Sequence, residues 1–152
     1  MYGTVLNIHS WLRWLVIGLA LWTILRAAMS AGRPWTPADT RSLRFYTIAL
    51  DVQLLLGLLL YFVLSPFTKQ AFADMGEAMQ HSALRFWAVE HILGMVAAIA
   101  LAHIGAVKIR KAASDARKHR LSLIFVTLSL LLIFATIPWP GMPAGRPLFR
   151  IY

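Results

Sequence analysis

The chain has 152 residues, 59% of them hydrophobic, a formal net charge of +9 and no cysteine. Its length suits one domain, residues 1–152, but its apolar content exceeds the roughly 45–50% of soluble proteins, so lipid must take what a single core cannot hide. The lack of cysteine excludes disulfides, thiolate metal sites and thiol nucleophiles, and no Walker, G-x-S-x-G, H-E-x-x-H or G-x-G-x-x-G pattern supports a nucleotide-driven pump or a hydrolase.

Four apolar segments follow in order, each long enough to cross about 30 Å of hydrocarbon. The first, residues 4–30, ends before Gly32 and Pro34. It has no basic leader and its charge lies after the apolar run, so it is expected to be a retained helix, not a cleaved signal. The second, 42–64, stops at Ser65-Pro66, where proline removes a helical donor. After a short amphipathic turn at "DMGEAMQ" (Asp74–Gln80), the third runs over 81–107, and the fourth, 120–138, ends at Pro138-Trp139-Pro140. The Pro- and Gly-rich tail, 139–152, is expected to lie extended along the interface, anchored by Trp139, Phe149 and Tyr152. The expected fold class is all-α, an integral membrane four-helix bundle with both termini on one side.

Charge orients the bundle. Arg26, Arg33, Arg41, Arg44, Lys108, Arg110, Lys111, Arg117, Lys118 and Arg120 flank or fill the two loops 31–44 and 107–120, against Lys69, Arg146 and Arg150 on the opposite side. The positive-inside rule predicts that these basic loops are cytoplasmic and that both termini face outward, periplasmic across a bacterial inner membrane. Basic residues so distributed, without an RNA- or DNA-binding motif, argue against nucleic acid as a partner; the expected partner is the lipid bilayer.

The third span begins "HSALRFWAVEHILG" and sets Arg85, Glu90 and His91 in an otherwise oily helix. Ionisable residues inside a span are functional candidates, because each costs about 2.5–3.5 kcal/mol at the bilayer centre. At a rise of about 1.5 Å per residue, His91 falls roughly 6 Å and His9 roughly 12 Å to the outer side of their spans' midpoints. Spans 1 and 3 run in the same direction, so the two imidazoles can face each other across the outer half of the bundle. Two facing histidines, flanked by Arg13 and Arg85 and walled by Trp11, Trp14, Phe86 and Trp87, suit haem b: imidazoles ligate the iron, and arginines neutralise the propionates. The same residues also suit a plainer arrangement in which His91 makes only an interhelical hydrogen bond and Arg13 reaches for headgroups.

Other polar positions divide similarly. Asp51 falls mid-span at a depth between His91 and His103, and needs a partner such as either histidine or a buried water. Asp51, Glu90 and His103 are candidates for a proton or hydrogen-bond network serving a quinone, or for structural pairs. His81 belongs to the outer mouth, and His119 to a solvated basic loop. Met75 and Met79 fit packing better than iron ligation. Gly94, Ala97, Ala98, Ala102 and Gly105 form a small-residue face for close helix packing.

The segments "HSWLRW" (9–14), "QLLLGLLLYF" (53–62), "LRFWAVEHILGM" (84–95), "AHIG" (102–105) and "IPWP" (137–140) resemble a group of small bacterial four-helix membrane proteins labelled cytochrome b-like. The resemblance spans nearly the whole chain. It implies membrane-bound haem or electron transport, with His9 and His91 as the matching histidines. Some members of that group have histidine where Asp51 stands here, so no second haem is expected.

Three functions therefore compete. The first is a b-type cytochrome-like electron-transfer protein, exchanging electrons with quinone or a periplasmic partner. The second is a non-redox accessory subunit of a larger respiratory or photosynthetic complex. The third, a proton-coupled transporter using Asp51, Glu90 and His91, lacks the inverted repeat that such folds show.

Overall fold

The structure, a computed structural model, describes residues 1–149; Arg150 and the proposed anchor Tyr152 lie outside them. It is all-helical among the described residues, with four helices long and apolar enough to cross a membrane. Helix α1 is Tyr2–Ala28. Helix α2, Pro37–Leu59, runs on through a π-helical turn, Leu60–Leu64. Two short helices follow, α3 (Pro66–Ala73) and α4 (Met75–Gln80). The third span is α5 (Ser82–Arg85), a second π-turn (Phe86–Glu90) and α6 (His91–Arg110), and the fourth is α7 (Asp115–Thr136).

Two helix starts lie about five residues earlier than hydropathy alone implies, because capping sets them. Thr36 and Asp39 form a reciprocal capping box ahead of Pro37, and the Ser114 side chain accepts from the Arg117 amide at the head of α7. Asp39 does more than cap. Its carboxylate, 2% exposed, accepts from Arg26 Nε at 2.9 Å and from Arg33 Nη1 and Nη2 at 2.6 and 2.7 Å. That pairing ties the α1–α2 loop to both helices, and the hydrogen bonds Arg33 donates to Asp39 hold its guanidinium pKa above its ordinary value.

The helices pack in the cyclic order α1–α2–α6–α7, so α1 and α6 are diagonal across the centre. Small residues permit this closeness: Ala20, Ala98 and Ala102 are fully or almost fully buried beside Val16, Leu50, Val126 and Ile133. Gly94 and Gly105 lie directly against Thr136 and Phe125 of α7, as the small-residue face predicts, whereas Ala97 is exposed and takes no part. One polar chain crosses the core. Ser129 Oγ donates to Ala98 O at 2.7 Å, so its lone proton is used and the fully buried Tyr46 hydroxyl must donate to Ser129 Oγ, also at 2.7 Å.

The tail departs from expectation. It does not run extended along the interface but coils back: Met142 N bonds Trp139 O, Gly145 N bonds Met142 O and Arg146 N bonds Pro138 O, with Gly141 at φ +90° making the turn. Trp139 is no exposed anchor either, since it stacks on Phe134 at 5.7 Å and donates to Phe134 O. Phe149 stacks on Trp14 at 5.2 Å.

Candidate functional site

A pocket at the basic-loop end is lined by Ser30, Arg33, Asp115 and His119, and the bundle is also hollow at the end bearing the termini. There an open cavity is lined by residues from all four spans, α3 and the tail. On α1 the lining residues Tyr2, Leu6, His9, Arg13 and Val16 recur every three or four positions, which is one face of a helix. Opposite them stand Gln53, Gly57 and Tyr61 from the second span and Trp87, His91 and Met95 from the third.

His9 and His91 therefore face one cavity from diagonal helices, close enough to interact electrostatically with each other and with Arg13. His91 Nδ1 sits 2.8 Å from Thr136 O. A carbonyl can only accept, so Nδ1 bears the proton and Nε2 keeps a free lone pair, with no hydrogen-bond partner among the described residues. His9 is pinned by a different device. Gln53 Nε2 donates to the His9 carbonyl at 3.0 Å, and a Cβ on Gly57 would stand 3.3 Å from His9 Cε1, so glycine there leaves room for the ring. His9 Nδ1, Gln53 Oε1 and Arg13 Nε are buried without a hydrogen-bond partner. Buried polar atoms are rarely left so, and a polar ligand or water in the cavity would satisfy them.

Both π-turns border this cavity, and neither is evident from sequence. Proline explains the first: Pro66 has no amide hydrogen, Ser65 N bonds back five residues to Leu60 O, and Thr68 Oγ1 satisfies the displaced Tyr61 carbonyl at 2.7 Å. In the second, His91 N reaches back five residues to Phe86 O. At about 4.4 residues per turn, positions i−4 and i−5 both flank residue i, so Trp87 and Phe86 both pack on the His91 ring, at 5.6 and 5.8 Å. Tyr61 joins the two turns by donating to Ala88 O at 2.6 Å.

The same π-turn accounts for Arg85 and Glu90. Five residues apart, they would point well away from each other on an α-helix, but here Arg85 Nε meets Glu90 Oε1 at 2.7 Å on the outer surface. Arg85, expected to flank the cofactor, does not line the cavity. Its place at the rim belongs to Arg146, counted from sequence only as a loop charge, which lies over Phe67 at 4.6 Å and Trp87 at 5.2 Å. Arg13 stays in the cavity wall, and its Nη2 donates to Leu148 O at 2.8 Å, which fastens the tail across the mouth. Trp14 Nε1 donates to the same carbonyl.

The remaining candidates lie elsewhere. Asp51 and His103 pair with each other at 2.8 Å on the bundle's outer surface, and Glu90 has no hydrogen bond to either, so the three form no network. His81, Met75 and Met79 are exposed and outside the cavity. His119 is not solvated as expected. The early start of α7 turns it inward to 3% exposure against Trp35, with both ring nitrogens unpartnered.

No protein-family model, curated protein or solved structure matches the chain.

A porphyrin needs an apolar slot, axial nitrogen donors and cations near its carboxylates, and the cavity's residues fit that set. Two imidazoles face in, His91 with a free Nε2 backed by a carbonyl on Nδ1, as metal-bound histidines usually are. Eleven of the 24 lining residues are Leu, Ile, Val, Phe or Trp, and Arg13 and Arg146 line it as well.

Proposed function

We propose that this cavity binds haem b between His9 and His91, and that the protein is a membrane-embedded b-type cytochrome that transfers electrons. The observation that supports it most is the pair of imidazoles on diagonal helices facing one apolar cavity, His91 with its Nδ1 proton held by Thr136 O. Bound haem would supply a one-electron ferric/ferrous couple. The chain's own residues would hold the imidazoles in place and neutralise the propionates through Arg13 and Arg146. Gln53 fixes the α1 backbone at His9, and Gly57 keeps the His9 ring free of steric contact. Under the positive-inside rule the haem lies in the outer half of a bacterial inner membrane, within reach of quinone or of a periplasmic partner.

A reduced-minus-oxidised spectrum of the purified protein, expressed with adequate haem supply, tests the proposal. A haem b α-band is expected. It should vanish in His91→Ala and persist in His81→Ala, whose side chain is 60% exposed and pairs with Glu77 at 3.5 Å. A wild-type protein without the band refutes the proposal.

A further inference from the structure

Asp51 on α2 and His103 on α6 form a polar pair that nothing in the chain covers. Their side chains are 50% and 46% exposed. Asp51 has 14 residues of its span before it and 13 after, and His103 has 21 before and 7 after, so the pair lies within the apolar span, about 10 Å from the basic end of α6. Around it the exposed surface is apolar, with Ile48, Val52 and Leu55 on α2 and Ile104 and Val107 on α6. Lipid tails offer no hydrogen bonds to the two atoms left over, Asp51 Oδ2 and His103 Nδ1, neither of which has a partner among the described residues.

The protonation of the pair shows what would satisfy those atoms. A pair in hydrocarbon is least costly when its net charge is zero. Two forms meet that condition: a carboxylate beside a doubly protonated imidazole, and a carboxylic acid donating to Nε2 of a neutral one. In both, Nδ1 carries a hydrogen and Oδ2 is an acceptor. The surface therefore presents one donor and one acceptor side by side at the same depth, which is the complement of itself.

We propose that the α2–α6 face is the interface of a homodimer, in which His103 of each copy donates through Nδ1 to Asp51 Oδ2 of the other. Copies inserted in the same orientation are related by a two-fold axis along the membrane normal. Such an axis sets α2 of one copy against α6 of the second, and because Asp51 and His103 are bonded at one level, both cross-contacts close together. Ala100, exposed one turn from His103, leaves room for close approach. The inference is independent of what fills the cavity.

The absence of native cysteine makes the test direct. Single cysteines are introduced at Ala100→Cys, beside the pair, and at Leu131→Cys, 58% exposed on α7, and cross-linked in native membranes with a short bis-maleimide. Ala100→Cys should give a cross-linked pair of identical chains and Leu131→Cys should not. Adding Asp51→Ala should lower the cross-linked fraction about tenfold. The exchanged double variant Asp51→His with His103→Asp rebuilds the donor–acceptor pair and should restore it, which separates loss of the interface from loss of the fold. Monomers alone from Ala100→Cys, products containing only a different protein, or cross-linking indifferent to Asp51→Ala would each overturn the proposal.

Discussion

The α6–α7 seam is closed by two glycines, and Gly94 permits a test in which the sign of the effect is set by the structure. In Gly94→Ala the new methyl collides with Thr136 Cγ2 and comes within 3.1 Å of Thr136 Cβ and 3.2 Å of its Oγ1. Thr136 cannot simply rotate away, because Oγ1 donates to Leu132 O at 2.8 Å, nor can its backbone retreat freely, because its carbonyl accepts from His91. Overpacking of this kind costs about 1–3 kcal/mol, and a lost interhelical hydrogen bond adds about 0.6 kcal/mol. Against this stands a gain of about 0.5–1 kcal/mol for alanine over glycine in a helix, leaving a net loss of about 1–3 kcal/mol. Gly18→Ala is the control. That glycine is exposed on α1 with nothing within 4 Å of the added carbon, so only the helical gain remains. Thermal unfolding in detergent, followed by circular dichroism, should separate the two variants by roughly 4–12 °C, with the unmodified protein between them. A Gly94→Ala protein that melts at or above the unmodified protein refutes the reasoning, because the seam would then be slack enough to give at no cost.

Two further substitutions probe polar groups the fold depends on. Asp39→Ala leaves Arg26 and Arg33 sharing a site without their counter-charge and removes the carboxylate half of the α2 capping box. The loss should be about 3 kcal/mol, the low end for a broken buried pair because both arginines keep partial exposure, and faster proteolysis of the 29–36 loop should accompany it. In the core, Tyr46→Phe removes one hydrogen bond and should cost about 0.6–1.7 kcal/mol. Ser129→Ala removes two and strands the Tyr46 phenol, costing about 1–3 kcal/mol. The double variant strands nothing, so a double-mutant cycle by denaturant unfolding should return a coupling of about 1 kcal/mol, and strict additivity would rule out the bond.

Depth was legible in the sequence and azimuth was not. Hydropathy and breakers locate four helices to within about five residues, and counting residues at a fixed rise brings His9 and His91 to one level at one end of the bundle. What a linear pattern does not contain is which way a mid-span residue points, since helices that are apolar nearly all round have no amphipathic stripe to fix their rotation. Gln53 and Gly57 carry no signal in the sequence for that reason, and Arg146 none because only the tail's backward turn brings it to the rim. The expectation that Asp51 needs a partner such as His103 agrees with their pairing, which sets Asp51 at the level of His103 rather than between it and His91, yet nothing in the spacing said that the pair would face outward. His119 was misread through its helix boundary, because a cap at Ser114 rather than the first apolar residue starts α7.

The π-turn at Phe86–Glu90 joins these strands of the argument. A straight α-helix through residues 82–110 would set Arg85 and Glu90 apart, two unpaired charges on an apolar span, and would keep only Trp87 of its two aromatic neighbours on the His91 ring. One wide turn changes both at once. It brings Arg85 to Glu90 on the outer surface, where neither competes for the cavity, and sets Phe86 beside Trp87 against His91 on the inner one. Within the same turn the Ala88 carbonyl accepts from Tyr61, which ties the second span to the third beside the histidine. The cost is poorer helical geometry over five residues, and π-turns of this kind recur where a site needs a side chain re-aimed. The charged residues of "RFWAVEHILG" thus serve to neutralise each other and clear the inner face, leaving His91 as the one ionisable group of that stretch turned toward the cavity.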